Sequence, residues 1–127
     1  MADITPPLPR DRQLIQRYGG GGFRIAGRDY RGSVLVAPDR TTAWAVSGPS
    51  EIDMASLAPL FDNVPVSGAV LLVGTGATLS PPGADLRVAL RRVGIGLDAM
   101  DTGAACRTFN VLLAEGRRVF AALVAVG

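Results

Sequence analysis

The run GIGLDAMDTGAACRTFNVLLAEGRRVFAALVAV, residues 94–126, decides the fold. It opens with Gly94, a helix-stopping glycine, and a short apolar strand, Ile95–Met100. Asp101 or Thr102 then offers a side-chain oxygen to cap a helix. Ala105, Phe109, Leu112 and Leu113 extend that helix at near-helical spacing to about Glu115, and Gly116 stops it. Val119–Val126 is apolar at every position, as a strand covered on both faces must be. A strand–helix–strand unit of this kind predicts an α/β domain with a buried sheet.

Upstream, Ala69–Gly74 (AVLLVG) is a second strand that is apolar on both faces. It is followed by Gly74-Thr75-Gly76 and by a helix expected from a Ser80 cap, with Pro81 or Pro82 in its first turn, to about Val93. Leu86, Val88, Leu90 and Val93 supply the apolar side of that helix, and Arg87, Arg91 and Arg92 the wet side. Asp53 caps a further helix, Met54–Phe61, in which Pro59 predicts a kink or a late start. Arg31–Ala37 and Thr42–Val46 read as a hairpin turned by Pro38-Asp39-Arg40. Gln13–Tyr18 and Phe23–Ile25 read as two short strands around four glycines, 19–22. The expectation is a three-layer single α/β domain over residues 13–127: a central mixed β-sheet flanked by helices, with an N-terminal β-hairpin region and a loose proline-bearing tail at 1–12.

Composition excludes many activities. The chain has 127 residues, room for one core, and is 48% apolar and 19% charged. All thirteen basic residues are arginine. Without histidine there is no Ser-His or Cys-His pair and no imidazole ligand. Without lysine there is no Schiff base and no P-loop cation. One cysteine and two glutamates leave little for a metal centre, so no cofactor, no metal and no catalytic residue is expected. The longest apolar runs are too short to cross a bilayer, which takes ~20 residues. With no secretory h-region and one unpaired thiol, a bacterial cytosolic location is expected. Six arginines fall between Arg10 and Arg31, but Asp3, Asp11 and Asp29 offset them. A nucleic-acid face needs a denser basic stripe, so none is expected.

Few local features carry chemistry. Gly74-Thr75-Gly76 follows a buried strand, where open α/β sheets place their ligand crevices, and could form a backbone nest for an anion. It lacks the third glycine and immediate helix of a dinucleotide fingerprint. Asp101-Thr102-Gly103 matches an aspartic-protease triplet, but it runs into a helix, so a helix cap is the simpler reading. Cys106 lies in the first turns of that helix, where a dipole can activate a thiol or packing can simply bury it. Arg107 is a surface cation or an anion contact, and Trp44 a core residue or a ligand platform.

The combination of MDTGAACRTFNVLLAEGRRVFAAL with GIGLDA, YRGSVLVAPD and LLVGTG resembles the small Mth-type domain family. That family includes mitochondrial complex I assembly factor 3, an adipogenesis-associated protein and bacterial and archaeal relatives. The resemblance spans roughly residues 14–126. It implies a three-layer fold with a mixed sheet and, for the mitochondrial members, a non-enzymatic role in assembling a membrane NADH dehydrogenase. The leading expectation is therefore a protein-binding or assembly factor with a protein partner. The alternative is a small-ligand or anion-binding domain with a site between the Gly74–Gly76 loop and the Thr102 helix start. Its candidate residues are Gly74, Thr75, Gly76, Asp101, Thr102, Cys106 and Arg107.

Overall fold

A computed structural model describes residues 12–62 and 64–127. The tail expected at 1–12 lies outside the described residues apart from Arg12. Strands β1 (Ile15–Gly19), β2 (Gly22–Ile25) and β3 (Arg28–Arg31) form a small antiparallel meander. Strands β4 (Val34–Ala37), β5 (Arg40–Ala43), β6 (Val70–Gly74), β7 (Gly96–Met100) and β8 (Val119–Leu123) form a five-stranded sheet in the order β5-β4-β8-β6-β7. Its β5/β4 and β4/β8 pairs are antiparallel and its β8/β6 and β6/β7 pairs parallel, so the sheet is mixed. Helices α1 (Met54–Phe61), α2 (Ala84–Arg92) and α3 (Thr102–Ala114) cover it.

The three layers follow from the two-residue period of the strands. Leu35, Leu71, Val73, Phe120 and Ala122 pack in one core with Leu57 and Leu60 of α1 and Leu86 and Leu90 of α2. Their chain neighbours Val34, Val36, Leu72, Ala121 and Leu123 pack in the other, with Ala105, Phe109 and Leu113 of α3 and Phe23 and Ile25 of the meander. Strands read as apolar on both faces are therefore covered on both faces.

Several local expectations are corrected. Arg31–Ala37 is not one strand: Gly32, at φ +79°, turns the chain between β3 and β4. The expected N-terminal β-hairpin of β1 and β2 is present, and β3 extends it into a three-stranded meander. Strand β5 ends at Ala43, and Trp44 leaves the sheet to donate its indole N–H to the Ser56 carbonyl at 3.0 Å. It is 6% exposed and belongs to the core. Helix α2 starts at Ala84 rather than beside Ser80, and its N-cap is Gly83, without a side-chain bond. Pro81 and Pro82 hold the chain out of the helical region just before it, since a residue preceding proline avoids α geometry. Val88 and Val93 lie exposed, leaving Leu86 and Leu90 as the buried side of α2.

Candidate functional site

The predicted ligand crevice lies where the parallel β6/β7 pair ends, with Gly74 in register with Met100. The loop after β6 and the start of α3 do reach the same sheet edge, and there they bond to each other. The Thr75 N–H donates to the Met100 carbonyl at 2.9 Å. The Gly76 N–H donates to the Thr102 Oγ1 at 2.9 Å, and that hydroxyl donates in turn to the Val124 carbonyl at 2.7 Å. The Thr102 N–H donates to the Gly76 carbonyl, and the Val124 N–H to the Gly74 carbonyl, each at 2.9 Å. The Thr75 hydroxyl donates to the Thr78 carbonyl at 2.8 Å and accepts from the Ser80 N–H at 2.9 Å. Thr102 is wholly buried and Thr75 nearly so. An anion nest needs N–H groups turned outward. The Thr75 and Gly76 N–H groups are engaged within the protein.

The other three candidates divide between a cap and a separate surface. Asp101 caps α3, its Oδ1 accepting from the Ala104 N–H at 2.9 Å. Cys106 is buried against the meander, and desolvation pushes its thiol up to about 12; Arg107 pulls the value down and Asp101 pushes it further up. A thiol held protonated this firmly is no nucleophile at neutral pH. Arg107 is exposed and points its guanidinium toward the Tyr18 hydroxyl through a long 3.4 Å hydrogen bond.

Arg107 belongs to a surface that the sequence did not single out. A depression of about 320 Å³ lies over the meander, with Arg17, Tyr18, Arg24, Asp29 and Arg31 among its lining residues. A second, of about 280 Å³, lies between β1 and α3 and includes Arg17, Tyr18, Cys106 and Arg107. Arg17 and Tyr18 line both, so the two depressions adjoin at β1, with Arg17 on the outer face of the strand and Tyr18 on the face toward α3. Arg17 and Arg24 are direct partners across the β1/β2 ladder, an opposition of like charges that is unfavourable in a sheet. Asp29, next in the same row, relieves one of them by a 2.9 Å ion pair with Arg24. Arg17 and Arg31 have no ion pair among the described residues.

Glycine shapes this surface. A side chain on Gly22 would run into the Tyr30 carbonyl oxygen, and one on Gly103 into the Tyr18 hydroxyl. The Tyr18 ring therefore lies directly on the first turn of α3. Asn110 fixes the same junction from below, its Oδ1 accepting from the Ile15 N–H at 2.9 Å and its Nδ2 donating to the Ile15 carbonyl at 2.8 Å. The one available sequence signal was the seven-residue spacing of Arg17, Arg24 and Arg31, which becomes a cluster only once the meander register is known.

Comparison with known proteins places this geometry in a family. An uncharacterized protein of Rhodobacter capsulatus is 39% identical over 110 residues, covering 87% of this chain and 82% of its own. The NADH dehydrogenase [ubiquinone] 1 alpha subcomplex assembly factor 3 of Danio rerio is 36% identical over 111 residues, covering 87% of this chain. The match spans 63% of that factor's length. A solved structure from Bartonella henselae, 42% identical, superposes with a TM-score of 0.79 over 93% of this chain and 98% of its own. That protein is described as an outer membrane protein. It overturns the expectation of a cytosolic location, which rested on a lone thiol and a missing h-region. A single cysteine excludes an internal disulfide but names no compartment. No helix among the described residues is long and apolar enough to cross a membrane. Residues 15–124 match the family described as Protein of unknown function (DUF498/DUF598). With that match over most of its length, and with assembly factor 3 similar across the same domain, the chain belongs to the DUF498/DUF598 family, the Mth-type domain family that includes complex I assembly factor 3.

Proposed function

We propose that this domain is a non-enzymatic assembly factor that works through protein contacts on a membrane-bound NADH dehydrogenase. The observation that carries the reading is the 36% identity to assembly factor 3 over 111 residues. Chemistry agrees with it. The chain has no histidine and no lysine, and its one thiol is buried and protonated. At the sheet edge where an α/β enzyme would keep a crevice, the backbone donors of Thr75 and Gly76 are already bonded. What the molecule offers outward is a shaped surface of arginines and a tyrosine. The test is removal of the gene from the organism that encodes it, with membrane NADH dehydrogenase resolved on native gels. The expected result is loss of the full complex with accumulation of partial assemblies. A normal amount of intact, active complex would overturn the proposal.

A further inference from the structure

We infer that the outer face of the meander, carrying Arg17, Arg24 and Arg31 with Tyr18 and Arg107 at its β1 edge, docks an acidic, carboxylate-rich segment of a partner protein. The inference rests on the protein-binding reading above and says where on the molecule the contact is made.

Charge is the first argument. The residues lining the two depressions include four arginines and one aspartate, leaving +3, whereas the whole chain carries +2. This part of the surface is therefore net positive. Asp29 is already taken by Arg24, and the nearby Asp101 is engaged at the helix cap. Arg17 and Arg31 have no ion-pair partner among the described residues, and Arg17 faces Arg24 across the ladder. An incoming carboxylate would relieve that repulsion, which no other acid in the cluster does.

Residue type is the second argument. A planar guanidinium pairs a carboxylate through two parallel N–H bonds, a geometry a lysine ammonium cannot match. Arginine and tyrosine are also the side chains in which binding energy concentrates at protein interfaces. Tyr18 is 41% exposed while its hydroxyl is held against Gly103 and within reach of Arg107, so it presents a ring already fixed in place. Shape is the third. Gly19, Gly20 and Gly22 place no side chains on the rim of the larger depression, leaving a recess of about 320 Å³. A nucleic acid would call for a longer basic track with several stacking aromatics, whereas Tyr18 is the one aromatic among the exposed large hydrophobic side chains of the described residues.

The experiment titrates the intact chain against a short fluorescent glutamate-rich peptide, its glutamine counterpart, and a single-stranded oligonucleotide of equal formal charge, read by anisotropy. The glutamate peptide is expected to bind and the glutamine one not. Replacing Arg17 and Arg31 together with alanine should weaken binding about ten-fold, the loss of two charge-assisted contacts at a partly solvated site. Replacing Arg91 and Arg92 of α2, on the other side of the central sheet, should change nothing, and thermal melts confirm that both variants fold. Failure of the glutamate peptide to bind, equal weakening by the α2 pair, or tighter binding of the oligonucleotide would each overturn the inference. The two proposals separate cleanly. A gene deletion that blocks NADH dehydrogenase assembly while the peptide does not bind removes this surface and leaves the assembly role. Peptide binding with intact assembly in the deletion strain does the reverse.

Discussion

Gly74 and Thr102 meet backbone to backbone: a methyl group on Gly74 would lie 2.9 Å from the Thr102 Cα and 3.0 Å from its Oγ1. This contact seats the start of α3 on the end of β6, and it leaves no slack, because the Leu123 side chain closes in at 3.0 Å from the same point. Gly74→Ala should therefore destabilise the fold by about 1–3 kcal/mol through a forced backbone shift. Thermal or urea unfolding measures it. An unchanged midpoint would mean that α3 can slide on the sheet.

Thr102 should separate shape from hydrogen bonding. Thr102→Val keeps the volume but leaves the Gly76 N–H and the Val124 carbonyl without their bonds to the hydroxyl. Each buried group so orphaned costs about 1–3 kcal/mol. Thr102→Ser keeps both bonds and gives up one methyl, worth about 0.8 kcal/mol. The serine variant should melt well above the valine variant, and the reverse order would disprove the role assigned to the hydroxyl.

Cys106 makes a prediction about pH. Its folded-state value, raised by burial to about 12, exceeds the ordinary 9.0, so the native state holds the proton more tightly than the unfolded chain. The stabilisation is complete below pH 9 and is lost as pH rises from there toward 12, at no more than about 1.4 kcal/mol per pH unit. Cys106→Ala should flatten that part of the stability profile. The folded wild-type thiol should also resist Ellman's reagent at neutral pH and react once urea unfolds the chain; prompt reaction in the native state would contradict the burial.

Asn110 joins the meander to the main domain through both polar groups of Ile15. Asn110→Ala should cost about 1–3 kcal/mol and loosen β1 more than the central sheet. Hydrogen exchange resolves the two. Faster exchange confined to residues of the meander is the expected pattern, and uniform change across all strands would assign Asn110 a global role instead.

Signals that were local were legible in the sequence. The Asp101 cap, the Gly116 stop and the apolar runs of β6 and β8 involve residues within one or two turns of each other, and the structure has them nearly where the pattern puts them. The start of α2 was misplaced because proline at the first helical turn and proline just before a helix look alike until the backbone is known. The shared edge of the Gly74–Gly76 loop and Thr102 followed from strand direction alone. Whether that edge stays open depends on the Val124 carbonyl, 22 positions away, which draws the Thr102 hydroxyl inward. The arginine surface was hidden for a related reason. Arg31, read as the head of the next strand, joins Arg17 and Arg24 only after Gly32 turns the chain.

The position of β8 has a consequence for how the molecule is made. It is the last strand in chain order, yet it lies between β4 and β6 in the sheet. During synthesis the β4–β5 hairpin and the β6–β7 pair emerge as two fragments with no ladder joining them, each with a bare edge and apolar faces. Only when Val119–Leu123 leaves the ribosome can the halves be stitched together. A nascent chain stalled before Val119 should be cut by protease along its length, and one released past Val124 should resist. Vectorial translation thus delivers the keystone strand last, and until it pairs both halves of the sheet keep an edge open to aggregation.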